Sequence, residues 1–279
     1  MRTIFNILVV SFCLISSSQA AQLEKLWETN GFSMPESMAT SENSNWIYVS
    51  NVNANKKGFI SRLSKDGKID NLKWITGLNN PAGLALYGDK LYIGDSSEVH
   101  IIDVKKQKLI KSISSKEANA LNDVTISTEG EVFVSDIASG KIFTIKDGKL
   151  VVWFEAPEIK HPNGLFVQDN YLFIADFASK LSHDLKVDDY GSIYKVNLTT
   201  KFCSLIPSSY HLGGLDGLIS TNDALLVSSN PTGELYTITK KERILVGTFE
   251  KGLADISMEG NTLYAPFIFS KKVSAYSLK

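Results

Sequence analysis

Cysteine, histidine and net charge are all scarce in this chain: its 279 residues include two cysteines and four histidines, and 29 basic residues face 30 acidic ones. Each scarcity removes a class of explanation. Cys13 lies in an N-terminal leader described below, so Cys203 stands alone in the remainder and no internal disulfide can form. Flanked by Phe202 and Ser204 in a strand-like run, Cys203 reads as a small core residue rather than a reactive thiol. Removing Arg2 with the leader leaves 29 − 1 = 28 basic against 30 acidic residues, a charge near −2. That balance gives no electrostatic reason to expect nucleic acid or an anionic membrane as a partner. Sustained helical periodicity is missing too, which excludes a helical bundle.

The long apolar run that does exist sits at the start. MRTIFNILVVSFCLISSSQAAQ has a basic residue at Arg2, an apolar stretch from Ile4 to Ile15, and small polar residues leading to Ser18, Gln19 and Ala20. This is the layout of a secretory signal peptide cut after Ala20, and its apolar part is too short to cross a bilayer. Phe12 stands where a lipoprotein anchor at Cys13 would need a small residue, so no membrane anchor is expected in the mature form. The expected organisation is a signal peptide over 1–20 and one domain over 21–279, in a protein that is exported, periplasmic or secreted. Export without disulfides favours the periplasm.

The rest of the chain is repetitive. Six segments share one pattern of a short apolar run, a polar turn and a second run of alternating apolar and β-branched residues: PESMATSENSNWIYVSN, PAGLALYGDKLYIGD, LNDVTISTEGEVFVSD, PNGLFVQDNYLFIAD, LDGLISTNDALLVSS and LADISMEGNTLYAPF. They read as β-hairpins. A further pair of strand-like pieces follows each of the first five, as in GKIFTIKDGKLVVWF. Repeat starts at 36, 82, 122, 163, 216 and 254 are separated by 46, 40, 41, 53 and 38 residues, the period of four-stranded propeller blades. The sixth repeat ends at Lys279 one strand short, while AQLEKLWET at 21–29 alternates without a partner. The sequence therefore predicts an all-β, six-bladed β-propeller whose last blade is closed by the N-terminal strand, which removes exposed edges. A sandwich or an open array of sheets is the alternative.

Reading down one register of the six repeats gives Glu36, Ala82, Asn122, Asn163, Asp216 and Ala254. In a propeller this register opens the innermost strands on one face of the central channel. Two carboxylates and two amides converging on an axis, with no Lys or Arg among them, are expensive to bury unless something compensates them. The compensation that fits is a cation, and oxygen-only ligands suit a hard divalent ion: calcium first, with Mg2+ or Zn2+ as alternatives. The next register reads Ser37, Gly83, Asp123, Gly164, Gly217 and Asp255. Its glycines are expected to let carbonyls turn toward the channel, and Asp123 and Asp255 to add or orient a ligand. The bland alternative is that Asn and Asp before strands satisfy turn backbone. Asp95, Asp136 and Asp176, which end the second strands of three blades, read that way.

The motifs PES, LND, HPNGL and LDGL, in this order, resemble the senescence marker protein/gluconolactonase/luciferin-regenerating enzyme (SGL) family, related more distantly to paraoxonases and strictosidine synthases. The resemblance spans the mature chain, with the specificity in the order and spacing of short motifs. It implies a six-bladed propeller with a divalent metal, commonly calcium, at the channel mouth, and lactone hydrolysis. The family's metal ligands fall on Glu36, Asn163 and Asp216, and its substrate-facing asparagine, which can approach the metal, on Asn122. Sugar-lactonase members carry an arginine two residues before that asparagine. Here that place is Ala120, which turns the expectation toward a less polar lactone or ester.

The expected activity is thus that of a metal-dependent lactonase or ester hydrolase acting on a small-molecule substrate, with Asp216 as catalytic base. A cation-bound carboxylate is a weak base, so a histidine is the alternative. His161, two residues before Asn163, and His211, five before Asp216, are expected on the site's face, as substrate contacts or as surface or hydrogen-bonded structural histidines. His183 and Lys186 lie in FASKLSHDLKVDDYGS (177–192), an insertion in the fourth repeat that is expected to close over the substrate with these two as contacts, or to be a solvated loop. His100, in the alternating run VHIID, reads as structural. Two other classes stay open: a non-catalytic propeller binding a peptide, glycan or small molecule with a structural metal, and a different reaction on the same scaffold.

Overall fold

The computed structural model describes residues 23–53, 57–181, 187–221 and 224–279. The leader with Cys13, and His183 with Lys186, lie outside the described residues. Among the described residues the chain is all β apart from one short 3-10 turn, and no helix is long and apolar enough to cross a membrane.

Six four-stranded antiparallel sheets follow one another along the chain. Four are built from consecutive strands and a fifth, which starts at Pro162–Gln168, takes its four strands from either side of an inserted two-stranded hairpin; the inner strands are Pro35–Ala39, Pro81–Tyr87, Leu121–Ile126, Pro162–Gln168 and Leu215–Thr221. The sixth combines three C-terminal strands with Leu23–Asn30, whose partner is Lys272–Leu278. The N-terminal strand thus closes the last sheet, as the incomplete sixth repeat predicts, and the ring has no unpaired terminal blade.

The core is divided among the blade interfaces. Six apolar clusters form, one between each pair of neighbouring blades; Tyr48, Ile60, Leu84 and Ile93 meet between blades one and two, for example, and Val49, Tyr264 and Ala275 between blades one and six. The alternation that makes each strand read as β places one face of every sheet against the preceding blade and the other against the next.

One detail of register recurs in five blades. Pairing between inner and second strands slips at the same place: Pro35/Met38, Pro81/Leu84, Leu121/Val124, Pro162/Leu165 and Leu215/Leu218. The two residues inside each slip, such as Asn122 and Asp123, are the two registers singled out above. A bulge takes them out of the ladder and re-aims them. In alternate blades a serine of the second strand takes up a backbone N–H freed in this way: Ser50 accepts from Ser37, Ser135 from Asp123 and Ser228 from Gly217, at 2.8 to 2.9 Å.

Candidate functional site

Glu36, Asn163 and Asp216 are buried where the inner strands begin, and Asn122 is half-buried in the same register of blade three. Each holds one side-chain oxygen that is shut away from solvent and has no hydrogen-bond partner: Glu36 Oε2, Asn122 Oδ1, Asn163 Oδ1 and Asp216 Oδ1. Among the described residues these are the buried carboxylate and amide oxygens left without partners. Buried acceptors are satisfied in the great majority of cases, so four orphans in one ring point to a missing partner.

Electrostatics agree with geometry. Burial, followed by the neighbouring carboxylates of Asp216, Asp255 and Asp123, holds Glu36 well above the usual carboxylate range. Burial, with Asp255 second, pushes Asp216 up to about 8, while the amides of Asn230 and Asn163 pull the other way. Among the described residues no Lys, Arg or His pairs with either carboxylate. Buried oxygens left without a hydrogen bond, with no positive charge beside them, are the environment a hard cation fills. Among the described residues no group of three or more His, Cys, Asp or Glu side chains is placed to hold a metal ion; the orphaned set consists of two carboxylates and two amides. The donor set therefore fits a divalent ion that accepts neutral oxygen ligands.

The second register behaves differently from expectation. Asp123 accepts from Leu165 N of blade four and from its own neighbour Val124 N, both at 2.6 Å. Asp255 Oδ2 accepts from Ser37 Oγ at 2.5 Å, and Ser37 Oγ accepts from Leu84 N at 3.1 Å. These side chains stitch blades together at the axis, with no oxygen left over for a ligand in Asp123. The glycines act by size: none of Gly83, Gly164 and Gly217 has a positive φ. A Cβ on Gly164 would lie 1.9 Å from Asp216 O, and one on Gly217 2.1 Å from Ile256 N. Inner strands pass too closely there for any side chain, so freedom to turn carbonyls is not what selects glycine.

Asp95, Asp136 and Asp176 cap the crossovers between blades. Each accepts two backbone N–H groups of the loop leading to the inner strand: Asn79 and Asn80, Asn119 and Ala120, Lys160 and His161. His100 is buried between Asp95 Oδ2 at 3.1 Å and Ser112 Oγ at 2.7 Å, the structural role its strand position predicts. Cys203 is half-buried, and its thiol is pushed up to about 11 by burial with Glu158 second, which leaves it unreactive.

The remaining histidines separate. His161 is half-buried beside Asn163, with Nδ1 3.0 Å from Ile137 O. A carbonyl only accepts, so Nδ1 carries the hydrogen and Nε2 is left for another partner. His211 is exposed on the crossover to blade five, stacked on Tyr210 with Nδ1 3.4 Å from Asp189 Oδ1, and makes no bond to the four-oxygen cluster. The insertion in blade four forms a hairpin of Ala178–Leu181 with Val187–Tyr190.

Asn230 escaped the sequence reading. It directly follows the second strand of blade five and donates Nδ2 to Asp216 Oδ2 at 2.9 Å, which fixes the carboxylate with Oδ1 free. Its register elsewhere holds Val52, Ser96, Ile137, Phe177 and Ile268, so a lone amide in a second column was the signal available.

No protein-family model matches the chain, and no curated protein matches it. Among solved structures it is similar to virginiamycin B lyase from Staphylococcus aureus, both as the selenomethionine-substituted enzyme and as a catalytically inactive variant with quinupristin. In each case the identity is 16%, the TM-score 0.66, and the match covers 93% of this chain and 100% of that one. The shared feature is the propeller fold.

Proposed function

We propose that this protein is a divalent-metal-dependent hydrolase of apolar lactones or related esters, acting outside the cytoplasm. The observation that supports it most is the set of four orphaned oxygens on Glu36, Asn122, Asn163 and Asp216, one per site residue and on four different blades. The motif resemblance to the SGL family points to the same chemistry.

Glu36, Asn163 and Asp216, with Asn122, would hold the ion, calcium in preference to magnesium or zinc. Once bound, such an ion supplies stabilisation of an oxyanion and acidification of water. The chain's own residues do the rest. Asn230 orients Asp216 and keeps one of its oxygens available. Asp216 would accept the proton of the attacking water; the upward shift that burial gives it belongs to the metal-free site and is opposed by a bound cation. His161, its Nδ1–H committed to Ile137 O, offers Nε2 as acceptor to a substrate or leaving-group hydroxyl. Around the same face the backbone turns at Met34, Val52, Ile137, Phe177 and Ile268, all half-buried and apolar. They favour a hydrophobic substrate and the exclusion of bulk water, and Ala120 offers no donor for sugar hydroxyls.

The test is turnover of a panel of alkyl lactones, sugar lactones and aryl esters by the purified protein, with and without chelator. Chelator-sensitive hydrolysis of alkyl lactones is expected. Calcium that raises the melting temperature with no turnover of any ester would instead establish a binding propeller with a structural ion.

A further inference from the structure

The outer strand of blade four is only three residues long, Cys203–Leu205, against six to ten residues in the other five outer strands. Pro207 cannot donate to a ladder, and it opens the 3-10 turn Pro207–Ser209 that leads the chain away. The interface between blades four and five is therefore under-filled at the strand ends remote from the four-oxygen cluster. A cavity of about 320 Å³ lies there.

Its wall is mostly apolar, with Phe173, Leu205, Ile206, Leu225 and Ile238 beside the neutral polar Gln168, Ser204, Ser220 and Thr239, and Lys195 and Lys240 are the charged residues that line it. Lys195 is half-buried, with Nζ 3.6 Å from the ring centroid of Tyr171, just outside the cavity, and 5.3 Å from that of its cross-strand partner Phe173, which lines it. That packing holds the cation against the wall. Lys240 is exposed in the turn after the third strand of blade five. The cavity is about twice the ~150 Å³ that takes up benzene, which gives room for about ten carbons.

We infer that this cleft binds a medium-chain monocarboxylate, its alkyl chain between blades four and five and its carboxylate on Lys195 and Lys240. Two lysines exclude a cationic head group, and an inorganic anion would leave the apolar wall unfilled. A neutral alcohol of the same length would forgo the charge-assisted hydrogen bonds. The site is independent of the hydrolytic reading.

Calorimetric titration of the purified protein with decanoate, decanol and butyrate tests it. Decanoate is expected to bind at least about tenfold more tightly than either of the others. Replacing both lysines (Lys195→Gln with Lys240→Gln) is expected to erase the difference between decanoate and decanol. Ala224→Phe, which fills the cavity, is expected to abolish binding of both while calcium binding is unchanged. Decanoate that does not bind, that binds no better than decanol, or that ignores the lysine replacements overturns the proposal. The lysine pair decides the matter even where Ala224→Phe does not fold.

Discussion

Two successive registers of the inner strands hold the same kinds of residue at the same depth and do opposite things. Glu36 and Asp216 are as buried as Asp123 and Asp255, and all four carboxyls are pushed upward by burial. Yet Asp123 and Asp255 are tied to neighbouring blades through Leu165 and Ser37, with Asp123 also held by its own neighbour Val124, whereas Glu36 and Asp216 each keep an oxygen with no partner. Burial and charge do not separate a structural acid from a functional one here. Hydrogen-bond satisfaction does, because a satisfied acid has already spent the capacity a ligand would need.

Swapping one member of each register sharpens this contrast, and it should give the largest effect. Asp216→Ala is expected to lower lactone turnover by about 10³-fold or more and to remove calcium binding, with little loss of metal-free stability, since the carboxyl it deletes is one whose burial and neighbouring Asp255 outweigh the Asn230 and Asn163 amides. Asp123→Ala is expected to do the reverse. It strands the N–H of Leu165 between two blades and should cost about 2 kcal/mol in chemical denaturation, with calcium still bound. Equal loss of calcium in both variants would mean that the two registers form one site.

The propeller was legible because each blade repeats the same punctuation, so the period of the repeat and the unpaired strand at 21–29 sufficed to close the ring. The column of Glu36, Asn122, Asn163 and Asp216 was legible for the same reason. Satisfaction was not. Nothing in the letters distinguishes Asp123 from Asp216, because the partners of Asp123 are backbone groups of another blade. The glycines misled for a related reason: what constrains Gly164 is the approach of Asp216 O, a contact 52 residues away in the chain (216 − 164). Asn230 was hidden by lying outside the column, and the cleft at Lys195 by a strand whose shortness shows only against its counterparts.

An intermediate effect concerns pH. In the metal-free protein Asp216 titrates at about 8 and Asp255 at about 7, both raised by burial, and Glu36 is raised as well. A carboxyl with a raised folded pKa adds stability that is complete below its unfolded value and fades as pH climbs through the folded one. With chelator, the melting temperature should therefore fall between pH 5.5 and 8.5. Asp176, raised to about 7 by burial away from the ring, contributes with the same sign, so the discriminating quantity is the response to calcium. Calcium should raise the melting temperature more at pH 8.5 than at pH 5.5, since only the ionised carboxylates hold it. An equal rise at both values would place the ion elsewhere.

The smallest effect separates one column from its neighbour. Asn230 and Ser96 occupy the same register after the second strands of blades five and two. Asn230 fixes Asp216, while Ser96 Oγ donates to Asp95 Oδ1 at 3.2 Å, in the crossover cap. A partner that orients a ligand without touching the ion typically contributes tenfold or more to affinity. Asn230→Ala is accordingly expected to weaken calcium binding about tenfold by calorimetry, without changing the number of ions bound. Ser96→Ala, in the same place on a blade with no ligand, is expected to leave calcium affinity unchanged. If both variants weakened it alike, the carboxylate of Asp216 would not need orienting, and the effect would belong to the rim of the channel as a whole.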